Sequence, residues 1–206
     1  MSKYHDDRTA ASDPVNIRLS NSKLQILQPD LFGWQSLFTK MVFMNRRLRA
    51  RGIRAMLNEH LSFGDSRAAV VMRIRSPLIV AAYSDELDAV ILLEFPDFLA
   101  TDYSLRLGSR LLTVNTYRFG NSPLRDIHAG PEFKGRYSSF YPLIAEFLSD
   151  DIDTINRRKS RIAEAEWRQT VEFSRKLLAG DQVWLRDGRP MESFKVGRRV
   201  ELPPTG

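Results

Sequence analysis

Cysteine is absent from this chain of 206 residues. That absence excludes a disulfide scaffold, a cysteine-based zinc or iron–sulfur centre and a thiol nucleophile. Histidine is scarce: His5, His60 and His128 are the only three. His5 sits in a polar N-terminal stretch, so a three-histidine metal centre is excluded as well. No run reaches the ~18 consecutive apolar residues of a membrane-spanning helix. The opening segment, MSKYHDDRTAASDP, lacks the apolar core of a secretory signal. The expected location is therefore the cytoplasm. Neither Walker nor Rossmann glycine spacing occurs, and no serine lies in a nucleophile elbow. No bound metal or cofactor is expected. There is no internal repeat and no low-complexity tract.

What the chain does have is a core-forming composition. It is 43% hydrophobic and 27% charged, with a formal net charge of +6. A chain of this length and apolar content buries a self-sufficient core. One domain is expected over residues 15–201, with disordered tails at 1–14 and 202–206.

The strongest periodic signal lies between Asp151 and Ala179. There Ile152, Ile155, Ile162, Trp167, Val171, Leu177 and Leu178 share one arc at 100° per residue. Asp150 or Asp151 suits its start and Gly180 its end. A shorter helix is predicted from Pro142 to Leu148. A second helical region covers 31–61, with Leu37, Met41, Met44 and Leu48 on one side and Gly52 as its break. Between these regions the sequence reads as strands: 68–75, 78–83, 89–95, 103–107 and 110–118, the last two joined at Gly108-Ser109. Connections this short leave no room for helical crossovers, so an antiparallel meander follows. Gln182–Arg186 and Met191–Val196 read as a C-terminal hairpin about Asp187-Gly188-Arg189-Pro190. The fold class is α+β, with an antiparallel sheet at about 68–118 packed by helices at about 31–61 and 142–179.

The modest net charge conceals segregated blocks. Residues 40–75 hold nine basic and two acidic side chains, whereas residues 76–105 hold six acidic and no basic ones. The densest basic cluster places Arg46, Arg47, Arg51 and Arg54 on one helical face. Four guanidinium groups there suit phosphate or another anionic partner, because each offers planar paired donors. They equally suit pairing with the acidic block within the fold. No helix-turn-helix, RRM or zinc-finger spacing supports nucleic acid. On the outer face of the long helix, Glu164, Arg168, Glu172 and Lys176 form successive i,i+4 pairs.

Catalytic sets are sparse. Asp126 and His128 lie in a polar loop between Pro123 and Pro131, where an acid can orient a histidine base. Asp97 with Glu132-Phe133-Lys134 imitates the acid, acid-x-Lys pattern of metal-dependent nucleases, but Gly130-Pro131 and Gly135 flank it and argue against a regular strand. Asp150, Asp151 and Asp153 read as capping acids rather than metal ligands. The leading expectation is a non-catalytic cytosolic binding or protein-interaction domain, self-associating or bound to a protein partner, and not membrane-inserted. The alternatives are nucleic-acid or phosphate-ligand binding through the arginine-rich helix, and a hydrolase using Asp126 and His128.

Overall fold

Eight strands form a single sheet in the computed structural model, which describes residues 13–31, 40–120, 122–180 and 182–202. The strands are β1 (Asp65–Ile74), β2 (Leu78–Ser84), β3 (Ala89–Phe95), β4 (Arg110–Phe119), β5 (His128–Ala129), β6 (Tyr137–Ile144), β7 (Gln182–Asp187) and β8 (Arg198–Glu201). The order is β6-β4-β1-β2-β3-β7-β8, with β5 paired to the start of β3. The helices are α1 (Asn21–Leu27), α2 (Lys40–Phe63), α3 (Phe98–Asp102), α4 (Ile152–Lys159) and α5 (Glu164–Leu178).

β2 and β3 are runs of β-branched and aliphatic residues buried on both faces, as expected of strands covered from two sides. On one face, Val71, Val80, Ile91, Leu112 and Phe140 pack with Leu24 of α1 and with Ile53, Leu57 and Leu61 of α2. On the other, Ile79, Ala81, Val90 and Leu92 lie against Phe173, Leu177 and Leu178 of α5. The helices and sheet form the expected α+β arrangement, but the sheet is mixed: β3 and β7 run parallel, with Leu93 opposite Arg186. The long excursion through α4 and α5 supplies the crossover that a parallel pair requires.

The sheet curls. Arg186 on β7 donates from Nη1 to the carbonyl of Phe140 on β6, 2.8 Å away, although four strands separate β6 from β7 in the hydrogen-bonded order. Arg186 Nε and Nη2 grip both oxygens of Asp126 at 2.7 and 2.8 Å. Both side chains are 1% exposed. One buried ion pair therefore stitches the two sides of the curl together.

Several predicted elements are corrected. The helix expected over 151–179 is two helices, interrupted at 160–163. α4 packs against β4 and β1, whereas α5 crosses β1, β2, β3 and β7, and one straight rod cannot follow a curled sheet onto both. Asp151 caps α4 through the Thr154 amide. The helix expected at Pro142–Leu148 is instead the end of β6 and a 3-10 turn at Ala145–Phe147. Pro142 is tolerated in this strand because β6 lies at the edge of the strand order, where a missing N–H leaves no ladder partner unpaired. Residues 103–107 form the exit from α3 rather than a strand. The C-terminal hairpin uses β8 at Arg198–Glu201, not Met191–Val196. Gly52 does not break α2, which continues through it.

Residues 1–12 and 203–206 of the expected tails lie outside the described residues. Asp13 and Pro14 belong to the folded body: Pro14 bridges to Asp65, and the Asp13 carbonyl accepts from the Ser66 amide at 3.1 Å.

Candidate binding groove

α5 stands over the sheet with its first turn near β4 and its last turn near β8. Between its flank and the wall made by β1 and the 106–110 loop runs a groove. The loop is held in place by two hydrogen bonds to Val71: Gly108 N–H donates to the Val71 carbonyl at 2.8 Å, and Val71 N–H donates to the Ser109 carbonyl at 3.0 Å. Gly108 takes φ +80°, a left-handed conformation that glycine adopts without steric cost.

The groove has two contiguous compartments. The larger, of about 820 Å³, has Met72, Leu107, Leu178 and Leu202 among its apolar walls, with Arg73 from the strand side and Arg175 from the helix side. The smaller, of about 520 Å³, is bordered by Arg110, Arg168, Arg175 and Lys176 with Glu164 and Glu172. Val70, Gly108, Val171 and Arg175 line both, so the two form one trough. The larger volume falls in the range of small-molecule sites, and apolar walls with a few placed charges are their usual lining.

The carboxylates of the trough are already engaged. Glu164 does not pair along its own helix with Arg168. It accepts from Arg110 Nη2 at 2.5 Å, and this pair holds the Glu164 carboxyl below its ordinary pKa. The Arg110 guanidinium lies 5.0 Å from the centre of the Trp167 ring. Glu172 pairs with Lys176 at 3.4 Å, and Glu201 accepts from Gln182 at 3.1 Å. Arg175 is exposed and makes no ion pair with any described residue. Arg175 therefore offers the trough a positive charge with no ion-pair partner among the described residues, beside aliphatic side chains. The i,i+4 charges of α5 are legible in the sequence. That Arg110 would draw Glu164 away, and that Arg175 would overhang a cavity, depends on strand pairing.

A second polar feature is an anchor. Arg67 on β1 donates to Asp65 at 2.8 Å and lies 2.6 Å from Asp85. Arg158 on α4 donates to Ser66 Oγ at 2.7 Å and to its carbonyl at 2.9 Å. Asp13 lies between the two arginines, at 3.5 and 3.1 Å. Glu166 on α5 accepts from the Ala68 amide at 2.7 Å. These contacts tie the N-terminal segment, β1, α4 and α5 to one another. Burial, partly offset by Arg67, pushes the Asp85 carboxyl up to about 6, and burial also raises Glu166.

His60 is a third polar group, and it is structural. Its Nε2 lies 2.8 Å from the Val114 carbonyl, which can only accept, and its Nδ1 lies 3.3 Å from the Thr116 hydroxyl. Burial pushes it down to about 4. The folded state thus binds fewer protons at His60 than the unfolded chain between pH 4 and 6.5, and stability from this group rises with pH across that window, by about 3 kcal/mol. Asp85 acts with the opposite sign. Its stabilising effect is present below the unfolded carboxyl value and is lost as pH rises from about 4 to about 6. Urea unfolding at a series of pH values is expected to show this in difference curves. Wild type minus His60→Gln climbs from pH 4 to 6.5, whereas wild type minus Asp85→Asn falls from pH 4 to 6. Parallel curves for either variant would show that its group is not perturbed by the fold.

The residues singled out from sequence are dispersed. Arg46 and Arg47 are on α2, with side chains outside the described residues. Arg51 is exposed and Arg54 is half-buried. The acids of the 76–105 block find partners elsewhere: Asp85 on Arg67, Glu94 on Arg198 at 2.9 Å, and Asp97 on the amides of Ser76 and Leu78. Asp126 and His128 are not brought into an acid–base pair by any hydrogen bond among the described residues. Both oxygens of Asp126 are held by Arg186, and one also accepts from the Gly197 amide. His128 is half-buried, its pKa lowered by that burial against a backbone hydrogen bond at Trp184. Asp97 is committed to turn amides, and Asp151 to its helix cap. Among the described residues no group of three or more histidine or acidic side chains is placed to hold a metal ion, and no helix is long and apolar enough to cross a membrane. No protein-family model matches the chain, nor does any curated protein or solved structure.

Proposed function

We propose that this protein is a non-catalytic binding domain that takes an anionic, partly apolar ligand in the trough along α5. The observation that carries this reading is the 820 Å³ compartment whose aliphatic lining includes the exposed Arg175, which makes no ion pair with any described residue. Charge-assisted hydrogen bonds from arginine are about twice as strong as neutral ones and select anions. The apolar wall adds affinity roughly in proportion to the surface it covers. The catalytic alternative has less to stand on, since Asp126 is spent on the Arg186 ion pair.

The test uses the fluorescent dye 1-anilinonaphthalene-8-sulfonate, which is both anionic and apolar. The folded protein at pH 7 is expected to bind it saturably with enhanced emission. Arg175→Glu is expected to weaken binding roughly tenfold or more, the scale of losing one hydrogen bond to a charged group. Arg175 is exposed, so the fold survives the change, which circular dichroism verifies. Equal binding by wild type and variant would overturn the reading.

A further inference from the structure

Resting on that reading, we infer that the ligand is a single-chain amphiphile with one anionic head, its head in the smaller compartment and its chain in the larger. The juxtaposition that assigns it is one trough with most of its cationic side chains along one half and most of its aliphatic side chains along the other. The smaller half is bordered by Arg110, Arg168, Arg175 and Lys176 together with Glu164 and Glu172, an excess of two positive charges after the Arg110–Glu164 and Lys176–Glu172 pairs. The larger half is walled by Met72, Leu107, Leu178 and Leu202. Arg175 lines both and stands where head and chain would meet.

Other ligand shapes fit this division less well. A free inorganic anion would use the cationic half and leave the apolar half wet. An acidic peptide carries charge along its length, and the apolar half has only Arg73 and Arg175 to meet it, with Glu201 on the same wall. A neutral hydrocarbon would gain nothing from the cationic half. An amphiphile satisfies both halves at once. Its length is also accommodated, since α5 runs for 15 residues beside the trough, about 21 Å at 1.5 Å per residue. The larger half includes Leu178, Gly180 and Leu202 in its lining, so the chain runs toward the C-terminal end of α5.

Arginine pairs with carboxylate and phosphate alike, so the head is assigned by charge and the experiment separates the two sources. Isothermal titration of the full chain, below the micelle concentration of each probe, compares dodecanoate, dodecyl phosphate, methyl dodecanoate, hexanoate and an acidic peptide of six glutamates. Dodecanoate or dodecyl phosphate is expected to bind with one site per chain, and whichever is tighter identifies the head. Methyl dodecanoate is expected to bind at least about tenfold more weakly, because the charge-assisted hydrogen bond is lost. Hexanoate is expected to bind at least about a hundredfold more weakly, because six methylenes are no longer buried. Arg175→Gln should lower affinity about tenfold for the charged probes and leave methyl dodecanoate unchanged. That second readout separates a head-group contact from general damage to the fold. Binding of neither charged probe overturns the inference, as does equal binding of the ester or of hexanoate. If the dye or the glutamate peptide binds while both charged probes fail, the trough remains a binding site and its ligand is not an amphiphile. If the dye also fails, the functional reading falls with it.

Discussion

Replacing Arg186 by methionine is expected to cost about 3–5 kcal/mol, the usual consequence of leaving one member of a buried ion pair without its partner. The loss is larger than the hydrogen bonds alone imply. Arg186 holds both oxygens of Asp126, the Phe140 carbonyl, the Ser139 hydroxyl at 3.2 Å and the Ser193 carbonyl at 3.3 Å. Without it a buried carboxylate faces a low-dielectric interior, and β6 loses its direct tie to β7. Domains of this size are stable by about 5–15 kcal/mol in total, so the variant sits near the limit of folding. The double variant Arg186→Met/Asp126→Leu is expected to recover at least half of the loss, because the orphaned charge is gone. Urea unfolding monitored through the tryptophans measures both. A single-variant loss below about 1 kcal/mol would show that the pair does not close the sheet.

The second large effect contrasts two glycines. A Cβ built on Gly64 would lie 2.6 Å from the His60 carbonyl oxygen, 2.7 Å from a Val114 methyl and 2.9 Å from the Asn115 carbonyl oxygen. Two of these atoms are backbone, so relief requires moving the junction of α2 with β1 away from β4. Gly64→Ala is expected to destabilise by about 3 kcal/mol, the upper range for overpacking. At Gly52, inside α2, a Cβ meets nothing within 4 Å. There the same substitution is expected to stabilise by about 0.5–1 kcal/mol, the helix-propensity gain of alanine over glycine. Thermal unfolding should move the midpoint in opposite directions for the two variants. An unchanged or raised midpoint for Gly64→Ala would contradict the tight α2–β1–β4 junction.

The fold was readable where local pattern and tertiary context agree. The apolar runs at 78–84 and 89–95 and the alternation after Ala68 locate β2, β3 and β1 to within a few residues. Elements whose identity depends on distant partners were not readable. Pro142 looks like a helix start until β6 is known to be an edge. The apolar arc from Ile152 to Leu178 is continuous in sequence, and only the curl of the sheet explains why the helix breaks before Glu164. The same limit applies to the site. Asp126 looks like a catalytic acid in a polar loop, and nothing local announces that Arg186, sixty residues away, engages both of its oxygens. Arg175 looks like one charge among many on a solvated helix face, and its place over an apolar cavity appears only when β1 and the 106–110 loop are set beside α5.

The measurement that bears most directly on the binding trough is an amide chemical-shift map of the wild-type protein titrated with 1-anilinonaphthalene-8-sulfonate. The predicted result is saturable shifts at Gly108, Val171, Arg175 and Gly180, with Asp126, His128, Arg51 and Arg54 unmoved. Shifts confined to the Asp126–His128 loop or to the arginine face of α2, with the α5 trough unmoved, would contradict it.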